Sequence, residues 1–179
     1  TISGTPVNAN VGTHTITVTC TDDGTGTLSA SDQYVLTVTN VNDAPTVTSA
    51  IADASTAEDA AYSLSVASVC TDVDSGDSLT YSISGAPSTI TISGTTISGT
   101  PVNANVGTHT ITVTCTDDGS GTLSASDQYV LTVTNVNDAP TITSNAVTAV
   151  NEDAAYSYTV TTNDVDGDTV SLTGTTVPS

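Results

Sequence analysis

The sequence predicts an all-β chain built from tandem seven-stranded antiparallel Greek-key sandwiches. Two observations carry this. Residues 1–49 recur at 96–144 with only two changes, Thr25 to Ser120 and Val47 to Ile142. A spacing of that size marks whole domains in series rather than a solenoid of small units. Within each copy, Val, Ile, Leu and Tyr alternate with Thr and Ser, and Gly, Asn, Asp and Pro punctuate the runs. That is the period-two pattern of half-buried strands bounded by turns. Lys, Arg and Met are absent, and Glu and Gln are scarce, so the usual helix formers contribute little.

The repeat divides the chain into the C-terminal part of a first domain (1–43), a complete second domain (44–138) and the N-terminal part of a third (139–179). In the second domain the first strand is expected at 46–49. The next, 62–66, turns Tyr62, Leu64 and Val66 inward. Strand 79–83 does the same with Leu79, Tyr81 and Ile83. Strands 89–92 and 95–98 are short and joined by a tight turn at Gly94. Strand 109–115 buries His109, Ile111, Val113 and Cys115, and strand 128–135 buries Tyr129, Leu131 and Val133. The two flanking parts each carry only some of these strands and are expected to be completed by a neighbouring molecule or poorly ordered.

Composition narrows the function. Nineteen acidic residues face no Lys or Arg, a formal charge of −19. Binding nucleic acid needs basic side chains to displace counterions, so it is excluded, and anionic membrane surfaces are disfavoured. No apolar run is long enough to span a membrane. Where the fold gathers carboxylates with no cation of its own, a bound metal ion relieves the repulsion. Phe, Trp and Met are missing, so each core is made of small aliphatics and Tyr and needs a staple or a metal. Parity places Cys70 and Cys115 on inward faces. They are expected either to bridge the sandwich or to remain buried thiols, whereas Cys20, the copy of Cys115, is expected to be unpaired. Disulfide use implies an extracellular setting. No catalytic constellation is present: there is no Gly-x-Ser-x-Gly, no zinc spacing and no phosphate loop, so the chain is not expected to be an enzyme.

Acidic residues recur at corresponding places. The linker Asn40-Val41-Asn42-Asp43-Ala44-Pro45 returns as Asn135-Val136-Asn137-Asp138-Ala139-Pro140. Glu58-Asp59 returns as Glu152-Asp153, Asp72-Val73-Asp74-Ser75-Gly76-Asp77 as Asp164-Val165-Asp166-Gly167-Asp168, and Asp22-Asp23-Gly24 as Asp117-Asp118-Gly119. With Ser-Gly-Thr-Pro-x-Asn-Ala-x-Val-Gly-Thr and Leu-Thr-Val-Thr-Asn-Val-Asn-Asp-Ala-Pro, these motifs resemble the cadherin-like repeats of bacterial and archaeal surface proteins, among them the dystroglycan-type cadherin-like and Putative Ig families. The resemblance covers essentially the whole chain. It implies a seven-stranded sandwich with Ca2+ bound between successive domains. The family's linker motif maps onto Asn135, Asn137 and Asp138, and onto Asn40, Asn42 and Asp43. Its early-strand Glu maps onto Glu58, its Asp-x-Asp onto Asp72 and Asp74 and onto Asp164 and Asp166, and its sixth-strand Asp onto Asp117. The Asp-Arg-Glu motif of animal cadherins has no counterpart, so one or two ions per junction are expected rather than three. Around the second linker, Glu58, Asn135, Asn137, Asp138, Asp164 and Asp166 are the expected ligands, with Asp117 added if its loop faces the same end. Turn formation by Asp-Gly and Asn-Asp pairs explains the same clusters without an ion.

The expected function is a calcium-rigidified segment of an extracellular stalk, filament or adhesin. Its partners are neighbouring repeats or identical subunits, joined by strand complementation. The alternatives are an adhesive module that recognises a glycan or surface partner, and a spacer within a large secreted enzyme.

Overall fold

The computed structural model describes residues 1–174. Thirteen strands are present among them, with no α-helix. The first part holds β1 (Gly12–Thr21) and β2 (Ser29–Val38), paired antiparallel from Gly12↔Val38 to Thr21↔Ser29. The middle repeat holds β3 (Thr46–Val47), β4 (Ala54–Ala57), β5 (Tyr62–Ser65), β6 (Cys70–Thr71), β7 (Thr80–Ser84), β8 (Ile90–Ser93), β9 (Thr96–Gly99), β10 (Gly107–Thr116) and β11 (Ser124–Thr134). The last part holds β12 (Thr141–Ile142) and β13 (Thr162–Asn163). In the middle repeat one sheet has the order β4-β11-β10-β7 and another the order β5-β9-β8, with β3 paired to β6. This is the expected all-β sandwich.

Two strands were not anticipated. Cys70–Thr71 is a two-residue bridge to β3. Ala-Ser-Thr-Ala at 54–57 has too little apolar alternation to read as a strand, and it exists because it pairs in parallel with β11, Leu131↔Ala54 to Thr134↔Ala57. The first expected strand, 46–49, shortens to two residues.

The chain clusters into two compact units whose boundaries fall inside β7, β10 and β11 rather than at the repeat boundaries. In the unit formed by residues 1–51, 66–83 and 113–128, Val66, Val69, Val113 and Cys115 are buried. A disulfide joins Cys70 to Cys115 across a Cα–Cα distance of 6.5 Å, and Cys20 is free and exposed. In the unit formed by residues 52–65, 84–112 and 129–174, the core is Ile90, Ile97, Ile111, Leu131 and Val133 around Tyr62 and Tyr129. The two hydroxyls lie 3.3 Å apart, with Tyr62 donating. Burial, and then this hydrogen bond, push the Tyr129 phenol far above its ordinary range.

Close approach explains one glycine. At Gly99 a Cβ would run into the carbonyl of Thr89, so β9 can lie this near the start of β8 only without a side chain.

His109 departs from expectation. It is half-buried rather than a core residue. Its Nε2 donates to the carbonyl of Asn105, 2.8 Å away, and latches β10 to the short 3-10 turn Asn103–Asn105; His14 does the same to Asn10 at 2.7 Å.

Candidate metal centre

Two acidic constellations surround the two linkers, and each is built inside one compact unit. At the first, the tight turn after β6 gathers Asp72, Asp74 and Asp77, which each present an oxygen within 4.8 Å of the others. The turn closes on itself through Asp74 N–H, which donates to Asp72 Oδ1 at 2.9 Å. The linker is tied to it: Asp43 N–H donates to Asp74 Oδ2 at 2.6 Å, and Asn8 Nδ2 to Asp74 Oδ1 at 2.8 Å. Asn42 Nδ2 donates to Asp117 Oδ2 at 3.2 Å. Asp117 also clamps its own loop by accepting from the N–H groups of Gly119 and Leu123, each at 3.1 Å.

The second constellation repeats the first. Asp138 N–H donates to Asp166 Oδ2 at 2.6 Å, Asn103 Nδ2 to Asp166 Oδ1 at 2.7 Å, and Asp166 N–H to Asp164 Oδ1 at 3.0 Å. Asp164, Asp166 and Asp168 form one close group, and Glu58, Asp59 and Asp138 another. Strand β4 puts Glu58 there. Its parallel pairing with β11 continues one step to a hydrogen bond from Glu58 N–H to the Thr134 carbonyl at 3.0 Å, which sets Glu58 beside the linker that follows β11. Its Oε1 then accepts from Val136 N–H at 2.9 Å. Asp59 takes a positive φ of 58°, tolerated by Asp, and its N–H donates to the Pro101 carbonyl.

Four buried side-chain oxygens in these constellations have no hydrogen-bond partner: Asn42 Oδ1, Asp72 Oδ2, Asp77 Oδ2 and Glu58 Oε2. Glu58 is 1 % exposed, yet the chain has no Lys or Arg to neutralise it. A buried, unpaired carboxylate is costly, so these atoms fit a hard cation with several oxygen ligands. The donor set is all oxygen, which suits calcium rather than a transition metal.

The electrostatics of the first constellation are divided. The Asp43 backbone N–H, helped by Asn8 and Asn40, holds Asp74 below its ordinary value against the opposing effect of burial. Burial, then the carboxylates of Asp74, Asp118, Asp72 and Asp117, push Asp77 up. Their signs differ. Asp74 contributes stability above its unfolded pKa, and this is lost as the pH falls through its lower folded value. The contribution of Asp77 is full below its unfolded pKa and is lost as the pH rises through its higher folded value. Without metal the two oppose each other and the first constellation should show a shallow pH dependence. With calcium, protons compete for the ligands, so the calcium-induced rise in melting temperature should shrink on acidification toward the carboxylate range. Melting curves across pH, with and without chelator, check both.

Of the residues singled out from sequence, Asn42, Asp43, Asp72, Asp74 and Asp117 gather at the first linker with Asn40, and Glu58, Asp138, Asp164 and Asp166 at the second. Asp117 belongs with Asn42 at the first linker, not with the second constellation, because β10 delivers its loop to the β6–β7 end of the repeat. Asn135 and Asn137 are exposed, and Asn137 Nδ2 is 3.4 Å from the Asp138 carbonyl, to which it donates. Sequence reasoning missed Asn8 and Asn103. Their signal is the duplicated Asn-Ala-Asn. The second Asn of each triplet accepts from the N–H of Val7 or Val102, which closes the 3-10 turn and leaves the first Asn to reach the Asp.

Replacing Glu58 by Gln keeps its shape but removes the charge. It should diminish calcium-induced stabilisation while leaving the metal-free melting temperature unchanged or raised, since an unpaired buried charge disappears. Calcium titration by calorimetry on E58Q tests this.

The model of the Putative Ig domain family matches residues 44–134, just over half of the chain. The chain belongs to this family. The chain is 34 % identical over 141 residues to the serine-rich adhesin for platelets of Staphylococcus aureus strain MRSA252, an alignment covering 77 % of the chain and 10 % of the adhesin. The same adhesin from strain USA300 is 33 % identical over 141 residues, with 6 % of its length covered. The chain thus spans a tenth or less of these curated relatives. Among solved structures, the protocadherin GammaB4 extracellular domain superposes with a TM-score of 0.58 at 26 % identity, covering 92 % of the chain and 31 % of its own. Mouse cadherin-23 EC22-24 gives 0.57 at 21 % identity, covering 75 % and 45 %, which shows the fold alone. The chain is an extracellular, cell-surface repeat of cadherin-like and Ig-like fold.

Proposed function

We propose that this chain is a non-enzymatic structural segment of an extracellular stalk, filament or adhesin, made of repeats at 1–43, 44–138 and 139–179 and stiffened by calcium at the two linkers. The observation that supports this most is the duplication of one arrangement. At both linkers an Asp N–H and an Asn side chain converge on the second Asp of Asp-x-Asp, beside buried oxygens that lack partners. Turn chemistry accounts for one such loop. It does not account for Glu58, held from a different strand with one oxygen buried and unpaired. Asp72, Asp74, Asp77 and Asn42 would hold the ion at the first linker; Glu58, Asp59, Asp138, Asp164 and Asp166 would serve the second. Calcium there would cancel carboxylate repulsion and join the linker to the following Asp-rich turn.

The adhesin relatives favour an adhesive setting, in which this segment carries a binding domain away from the surface. Small-angle scattering of the chain in millimolar calcium and in excess chelator tests the proposal. A stiffer, longer particle with calcium, lost in the double variant Asp138→Ala and Asp166→Ala, is expected. Identical profiles in both conditions would sink the calcium reading.

A further inference from the structure

One contact between successive repeats is made by protein groups alone. Asn103 Nδ2 donates to Asp166 Oδ1 across a separation of 63 residues, and Asn8 Nδ2 to Asp74 Oδ1 across 66. Asp138 N–H and Asp43 N–H take the other oxygen of the same two carboxylates. Asn8 Nδ2 also reaches Asp43 Oδ2 at 3.4 Å. The two Asn donors lie in identical sequence, but the segments that deliver the acceptors, 44–74 and 139–166, differ in length and in sequence. The same amide nevertheless meets the same carboxylate, so the contact is a repeated feature and not a by-product of the duplication.

The donating amide is held ready. In the middle repeat Asn105 Oδ1 accepts from Val102 N–H at 3.1 Å and from Thr89 Oγ1 at 2.9 Å, and the Asn105 carbonyl accepts from His109 Nε2. Asn105 is buried by these partners, which fix the short 3-10 turn that carries Asn103. Little freedom is then lost when Asn103 meets Asp166. A neutral carboxamide suits a chain without Lys or Arg. It donates to an ionised Asp, a stronger bond than one between neutral groups, and adds no negative charge. A carboxylate offers about four lone-pair sites, so two N–H donors leave room for an ion.

We propose that Asn8 and Asn103 are latch residues between successive repeats. The Asn-Ala-Asn turn of one repeat docks, through its first carboxamide, on the second Asp of the next repeat's Asp-x-Asp turn, with or without a bound ion. Calcium at the oxygens that lack partners adds to this contact and does not create it. The latch depends on the repeat boundaries proposed above, not on the metal. It gives Asn a role that Asp cannot fill. Asp forms such turns as readily as Asn, but in this place it would set one carboxylate against another.

The test uses the full 179-residue chain, unsubstituted and with Asn103→Asp or Asn103→Leu. Hydrogen–deuterium exchange at short labelling times follows the linker peptide that contains Asp138, whose N–H lies on Asp166. Peptides from β10 and β11 report that the repeat stays folded. In excess chelator the unsubstituted linker should be protected, and both variants should lose that protection. Millimolar calcium should restore more of it in N103D, where the introduced carboxylate becomes a further ligand, than in N103L. The calcium-induced rise in melting temperature should likewise be larger in N103D than in the unsubstituted chain. Loss of protection in both variants that calcium leaves unchanged upholds the latch and counts against the calcium reading. An unsubstituted linker that exchanges freely in chelator, or variants as protected there as the unsubstituted chain, would overturn the proposal.

Discussion

Excess chelator is expected to lower the melting temperature of this chain sharply relative to calcium buffer. Extracellular calcium modules bind with a dissociation constant of about 10⁻⁴ M at their tighter end. At about 10 mM calcium, roughly a hundredfold excess over that constant, mass action stabilises the folded state by about 2.7 kcal/mol per site. For a domain of this size that corresponds to roughly 10–20 °C. The physical source is specific. Glu58 Oε2, Asp72 Oδ2 and Asp77 Oδ2 are buried without partners, and no basic side chain exists to meet them. Differential scanning calorimetry with and without chelator is the measurement. An unchanged melting temperature would mean that the carboxylates are turn formers in wet loops.

Replacing Cys70 and Cys115 together by Ala should have an effect of similar or larger size. The bridge closes a separation of 45 residues. In the chain-entropy model a loop of that length is worth about 4 kcal/mol. The repeat has no Phe, Trp or Met to make up the loss, so the double variant should be largely unfolded at about 37 °C. Circular dichroism on the oxidised chain, the reduced chain and the variant checks it. The reduced chain and the variant should agree, because Cys20 lies outside the bridge. A fall of less than about 1 kcal/mol would show that packing alone sustains the repeat.

Much of the architecture was legible in the residues. Alternation along 109–115 and 128–135 placed Ile111, Val113, Cys115, Tyr129, Leu131 and Val133 on the buried faces, because the pleat allows an apolar set only one side. The candidate site was legible as a set of acidic motifs, since their duplication separates a repeated pattern from chance. Its partners were less so. Asn8 and Asn103 reach the constellations through tertiary approach and are marked in the sequence only by the duplicated Asn-Ala-Asn, whereas Asp59 and Asp77 lie inside the acidic motifs themselves.

By itself the sequence determined the all-β class, the repeat, the lack of any basic side chain and the apolar side of the long strands β10 and β11, because all of these follow from composition and period. Tertiary structure alone decided which acidic motif meets which linker. Ala54–Ala57 has no strand signal of its own, and only its parallel pairing with β11 carries Glu58 to the second linker; the loop after β10 likewise carries Asp117 to the first. It also decided that identical residues are buried in β10 and β11 and exposed in β1 and β2. Burial belongs to what packs against a strand, and that is written in other segments than the strand itself.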